Sequence, residues 1–156
     1  MSVGFYRGVE DRVWSGEYDA AAGILYENRE EFARSSDVLY SLEMGLVKHY
    51  AGSFAESNRH FFAAERRMQE LYTRSVSSEA GSFAINDNLL PYEGEDHEKV
   101  LVNLFLALNF AEQGAWESAL VEARKADVKL REYTRAYRGK NAYKEDAFIR
   151  YVMGVL

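Results

Sequence analysis

The chain contains no cysteine in 156 residues. It therefore forms no disulfide, builds no thiolate metal site and carries no thiol nucleophile. Many exported proteins also lack cysteine, so this leaves the compartment open. Long apolar runs are missing too. The longest, Val100 to Ala111, spans twelve residues broken by Asn103 and Asn109, whereas a bilayer helix needs about 20. No transmembrane span is expected. The opening MSVGFYRGVEDRVW has no basic stretch followed by an apolar one, so no signal peptide is read in it. Positive charge is in deficit: a net charge of −6 and a pI near 5.2 repel nucleic acid and anionic membrane. There is no Gly-rich phosphate loop after a strand and no nucleophile elbow. His49, His60 and His97 have no metal-ligand spacing. Glu43 and Glu65 read as surface helix charges rather than an acid–base pair. The expectation is no enzyme, no cofactor and no metal.

What is present is globular: 47% hydrophobic and 14% aromatic residues, enough to bury a core in one domain, residues 1–156. Most of the chain has an amphipathic helical pattern, and three stretches resemble one another: WSGEYDAAAGIL, HYAGSFAESNRHF and AEQGAWESALVEA. Each carries a glycine, an aromatic two residues on and a small residue three further: Gly16, Tyr18 and Ala21; Gly52, Phe54 and Ser57; Gly114, Trp116 and Ala119. In an antiparallel helix pair the glycine closes the first helix in a left-handed conformation. The aromatic covers the corner, and the small residue admits close approach of the second helix. Seven residues before two of these glycines stand Met44-Gly45 and Leu106-Ala107, where backbones should cross. Met153-Gly154 repeats the pair near the end, and Gly8-Val9 holds that place one residue out of register.

On these residues the chain resembles the tetratricopeptide repeat (TPR) proteins. The resemblance implies an all-α, right-handed superhelix of antiparallel hairpins. Gly16 to Gly52 is 36 residues, close to the period of about 34, but Gly52 to Gly114 is 62. The reading is thus repeats at about 3–35, 38–71 and 99–133, a truncated fourth at 146–156, and insertions at about 73–98 and 134–145. The chain ends apolar and helical without a cap, so extension in both directions is expected. The stretches TRSVSSEAGSFAINDNLLPYEGEDHEKV and GKNAYKEDAFIRY also resemble a narrower group of poorly characterised bacterial envelope lipoproteins with TPRs. That likeness implies a periplasmic, lipid-anchored location at the outer membrane. The chain departs from it by lacking the lipidated cysteine and signal, which keeps a cytoplasmic location open.

In such a stack the first helices line the concave face. The residues expected there are Leu39, Leu42, Leu46, His49 and Tyr50 in the second repeat and Leu101, Leu104, Leu108, Ala111 and Glu112 in the third. In the first they are Tyr6, Glu10, Val13 and Trp14. The Lys, Arg and Asn donors of a chaperone-type carboxylate clamp are absent from these places. Six leucines at about 1.5–3 kcal/mol each need a cover: a partner's segment, a second copy, an acyl chain, or the chain itself. The stretch GSFAINDNLLPYEGEDH holds the sole proline and supplies Phe83, Ile85, Leu89, Leu90 and Tyr92, with Asn86, Asp87 and Asn88 for a turn. Self-occlusion by residues 81–97 is the leading expectation. The plainer alternative is that these leucines are inter-helix core and the loop crosses the outside.

Charge is unevenly placed. Residues 75–98 hold six acids and no Lys or Arg, and residues 122–150 hold nine basic residues against five acidic. This suits an anionic partner, docking of the acidic loop, or simply solvated faces. Asn141 and Tyr143 are candidates for holding the insertion or a ligand. The functional expectation is a non-enzymatic scaffold binding another protein or peptide segment. The alternative is a lipid or small-molecule carrier using the same groove.

Overall fold

The computed structural model describes residues 3–32, 37–78, 91–137 and 147–156. Among them every regular element is helical, and there is no strand. The order is α1 (Val3–Trp14), α2 (Tyr18–Glu27), α3 (Arg29–Phe32), α4 (Asp37–Tyr50), α5 (Phe54–Ser78), α6 (Asp96–Glu112), α7 (Trp116–Ala136) and α8 (Ala147–Val155). The protein is all-α.

Three corners are closed by the same chemistry. At Gly16 the φ angle is 74°; the Gly16 N–H donates to Val13 O (3.0 Å) and the Glu17 N–H to Arg12 O (2.8 Å). Gly52 (φ 73°) repeats this with His49 O and, through the Ser53 N–H, Lys48 O. Gly114 (φ 71°) repeats it with Ala111 O and, through the Ala115 N–H, Phe110 O. These are Schellman closures, which satisfy the orphan carbonyls of a helix end and favour glycine because φ is positive. In each case the aromatic two residues later opens the next helix, and Ala21, Ser57 and Ala119 are fully buried.

The chain divides into two compact units, Met1–Gly94 and Glu95–Leu156, each described by itself. In the first unit, α1 packs on α2, α2 on α4, and α4 on α5. Its core gathers Val9, Leu25, Phe32, Tyr40, Met44 and Val47, with Leu39 and Tyr6 packed against it. Helices α4 and α5 approach closely at Gly45. Gly45 faces the ring of Phe61, and the Ser57 hydroxyl donates to Gly45 O (2.7 Å) from a fully buried position.

In the second unit α6 and α7 pair antiparallel and α8 packs on α7. The core is Val100, Leu104, Ala107, Ala126, Leu130 and Ile149, among others. A buried polar contact joins α6 to α7: Asn103 Nδ2 donates to Glu122 Oε2 (2.7 Å), whose other oxygen takes Lys125 Nζ (2.7 Å).

Two helix ends fall away from the glycine corners. Helix α2 ends at Asn28, whose backbone and side-chain N–H groups both donate to Ile24 O, and α3 follows as a single turn. Helix α5 runs to Ser78, so residues 73–78 of the first expected insertion are helical. No glycine or proline interrupts the chain between Phe54 and Ser78, so nothing local stops the helix there.

Candidate functional site

Among the described residues of the first unit is an open cleft of about 960 Å³. Helix α4 is its floor, presenting Asp37, Tyr40, Ser41, Met44 and Lys48 from one face. Helix α2 is one wall, with Asp19, Ala22, Gly23 and Tyr26; α5 is the other, with Glu56, Arg59, His60 and Ala63. The space exists because the facing side chains are small at its middle. Ala22 and Gly23 on α2, Ser41 on the floor and Ala63 on α5 leave it unfilled. A Cβ added at Gly23 would meet nothing within 4 Å.

Helix direction gives the cleft two chemically different ends. One end is closed by ion pairs: Lys48 Nζ lies 3.4 Å from Asp19 Oδ1 and 3.0 Å from Glu56 Oε2, and Arg59 lies 3.3 Å from Glu56 Oε1. The hydrogen bond to Glu56 holds the Lys48 ammonium above its usual range, and the same contact lowers the Glu56 carboxyl.

The other end is aromatic. The Arg29 guanidinium sits over the Tyr40 ring at 5.5 Å, and Phe32 and His60 meet that ring edge-on at 5.5 and 6.1 Å. Burial raises the Tyr40 phenol. Burial, with Arg59 second, depresses the His60 imidazole, which favours its neutral form. Asp37 is engaged by Arg67 Nε at 2.7 Å and also accepts from the Val38 N–H.

The residues expected in an apolar groove lie elsewhere. On α4, positions 39, 42, 46, 49 and 50 fall roughly opposite the cleft positions, given about 100° of turn per residue. Leu39 is half-buried against the first core, and Leu42, Leu46 and His49 are half-buried. Tyr50 is 53% exposed, stacked on Tyr18 at 5.7 Å and touched edge-on by His49. In the second unit Leu104 (7% exposed) and Leu108 pack in the core there, while Leu101 is 41% exposed. Tyr92 is half-buried. Phe83, Asn86, Asn88, Asn141 and Tyr143 lie outside the described residues.

No family model, curated protein or solved structure matches this chain. The site is therefore read from its own residues. Sequence reasoning missed Tyr26, Arg29, Tyr40, Lys48, Arg59 and His60. The available signal was a set of small residues at helical spacing on α2, Ala22-Gly23 with Tyr26, opposite an aromatic and charged stripe on α4.

Among the described residues no group of three or more His, Asp or Glu is placed to hold a metal ion. No described helix is long and apolar enough to cross a membrane. The cleft offers a guanidinium, an imidazole, aromatic faces and paired charges. Such groups can hydrogen-bond, stack on and pair in charge with a ligand.

Proposed function

We propose that the chain is a non-enzymatic, tetratricopeptide-like scaffold that holds an extended segment of another protein in the cleft between α2, α4 and α5. Its envelope location and lipid anchorage follow from the resemblance stated above and belong to the same proposal. The three identical glycine corners support the tetratricopeptide-like part. The cleft carries the binding part.

The length of the cleft suits a short extended segment. From Asp37 to Lys48 the floor is about 16 Å long by helical rise. An extended chain, rising about 3.3 Å per residue, fits with about five residues inside. The leucine face of α4 supports binding less well, because Leu39, Leu42 and Leu46 are already half-covered.

The test is selection of a random-pentapeptide display library on the protein, with Gly23→Tyr as the blocked variant. Gly23 has open space ahead of it, so tyrosine fills the cleft while leaving the helix in place. Selected peptides should lose binding tenfold or more on Gly23→Tyr, whose circular dichroism and melting stay as in the parent. Peptides that bind both proteins equally would refute the cleft as the site.

A further inference from the structure

The charges lining the cleft do not cancel evenly. Asp19 and Glu56 are taken by Lys48, with Arg59 adding to Glu56, and Asp37 is taken by Arg67. Each cleft carboxylate thus has a protein cation. Arg29 has no ion-pair partner among the described residues and lies over the Tyr40 ring at 5.5 Å. A cation–π contact of this kind leaves a guanidinium with N–H donors for a second partner. Those donors match a carboxylate in a two-bond fork, a geometry an ammonium cannot copy. The ring beneath is fixed, because Tyr40 is buried and held between Phe32 and His60.

Resting on the peptide-binding reading, we infer that the Tyr40 end of the cleft is a subsite for an acidic side chain of the bound segment, gripped by the Arg29 guanidinium. The class of ligand is an extended peptide carrying Asp or Glu within the cleft-bound stretch. A basic residue at that position is rejected by Arg29. A neutral amide keeps the shape but leaves the arginine charge without a partner.

His60 reports on the same event. The charged groups facing it are Arg59 and Glu56 from its own helix, Lys48 from α4 and Arg29 from α3, with the Tyr40 ring against it. The cations among them and burial favour the neutral imidazole. A carboxylate brought in beside Arg29 offsets that positive field, so the His60 pKa rises on binding.

The experiment sequences the pentapeptides selected on the wild-type protein and on Arg29→Ala, each pentapeptide flanked by Gly-Ser so that no chain terminus enters the cleft. Asp or Glu should be enriched at one position on wild type and not on Arg29→Ala. Replacing that residue by Gln or Asn in a synthetic selected peptide should weaken binding about tenfold or more on wild type and leave Arg29→Ala unaffected. Arg29→Lys should keep only part of the acidic preference, and Arg7→Ala, which removes an exposed arginine of α1, should keep all of it. The His60 pKa, followed by NMR, should rise with the acidic peptide and stay put with its amide twin. Peptides that require the open cleft but show no acidic preference overturn the subsite and leave the binding reading intact. Acidic preference appearing only with a library ending in a free C-terminus overturns it in favour of a terminal carboxylate. Absence of any cleft-dependent peptide overturns both.

Discussion

Gly45 and Gly23 lie in adjacent helices of the first unit and should respond to the same substitution in opposite directions. Gly23 is exposed on α2, and a Cβ there meets nothing within 4 Å. Gly23→Ala should therefore show only the helix-propensity gain, about 0.5–1 kcal/mol. At Gly45 an added Cβ would lie 2.8 Å from Phe61 Cδ1 and Cε1 and 3.0 Å from Cζ. Phe61 is 3% exposed and has little room to retreat. Separating α4 from α5 would also stretch the buried bond from the Ser57 hydroxyl to Gly45 O. Overpacking of this kind costs about 1–3 kcal/mol, and the propensity gain offsets part of it. Gly45→Ala should thus lose about 0.5–2 kcal/mol net. Urea unfolding followed by circular dichroism reads both variants as midpoint shifts of opposite sign at unchanged slope. A Gly45→Ala protein as stable as the parent, beside a Gly23→Ala that gains as expected, would refute the close crossing of α4 and α5.

Three further outcomes are expected. Gly52→Ala has open space but a φ of 73°, so it should cost about 1–2 kcal/mol from backbone strain alone; an unchanged urea midpoint would show that the corner is not left-handed. The Tyr6 hydroxyl is buried without a hydrogen-bond partner, and burial, with Glu43 second, pushes its pKa up to about 12. Tyr6→Phe should therefore be neutral or stabilising by about 1 kcal/mol, and a loss beyond about 1 kcal/mol would reveal a bond that the geometry lacks. The His60 pKa is depressed in the folded state, so the unfolded chain binds its proton first as pH falls. Its contribution to stability is present above the unfolded value of about 6.5 and is lost as pH falls through the folded one. His60→Gln should flatten that part of the stability profile, and an unchanged slope below about pH 6.5 would refute the assignment.

The corners were legible in the sequence because they are local. A glycine, its aromatic and its small residue report on a few consecutive dihedrals, and Gly16, Gly52 and Gly114 all take positive φ. The tight pair at Met44-Gly45 was legible for a similar reason, since a glycine inside a helix is costly unless another element approaches. The cleft was not legible. It depends on how far α2 and α5 stand apart across α4, and spacing along one helix carries no such information. Register was the second obstacle. One residue of slip turns a helical position by about 100°, enough to move attention from the Tyr40 face of α4 to the Leu39 face.

Each Schellman closure draws its bonds from a span of six residues, such as Arg12 to Glu17, with no help from distant parts of the chain. A hairpin sealed this way pays little loop-closure entropy, and chains dominated by near-neighbour pairings cross their folding barrier quickly. The paired helices α1–α2, α4–α5 and α6–α7 can therefore assemble early and separately. Lengthening the segments between pairs leaves their internal wiring untouched.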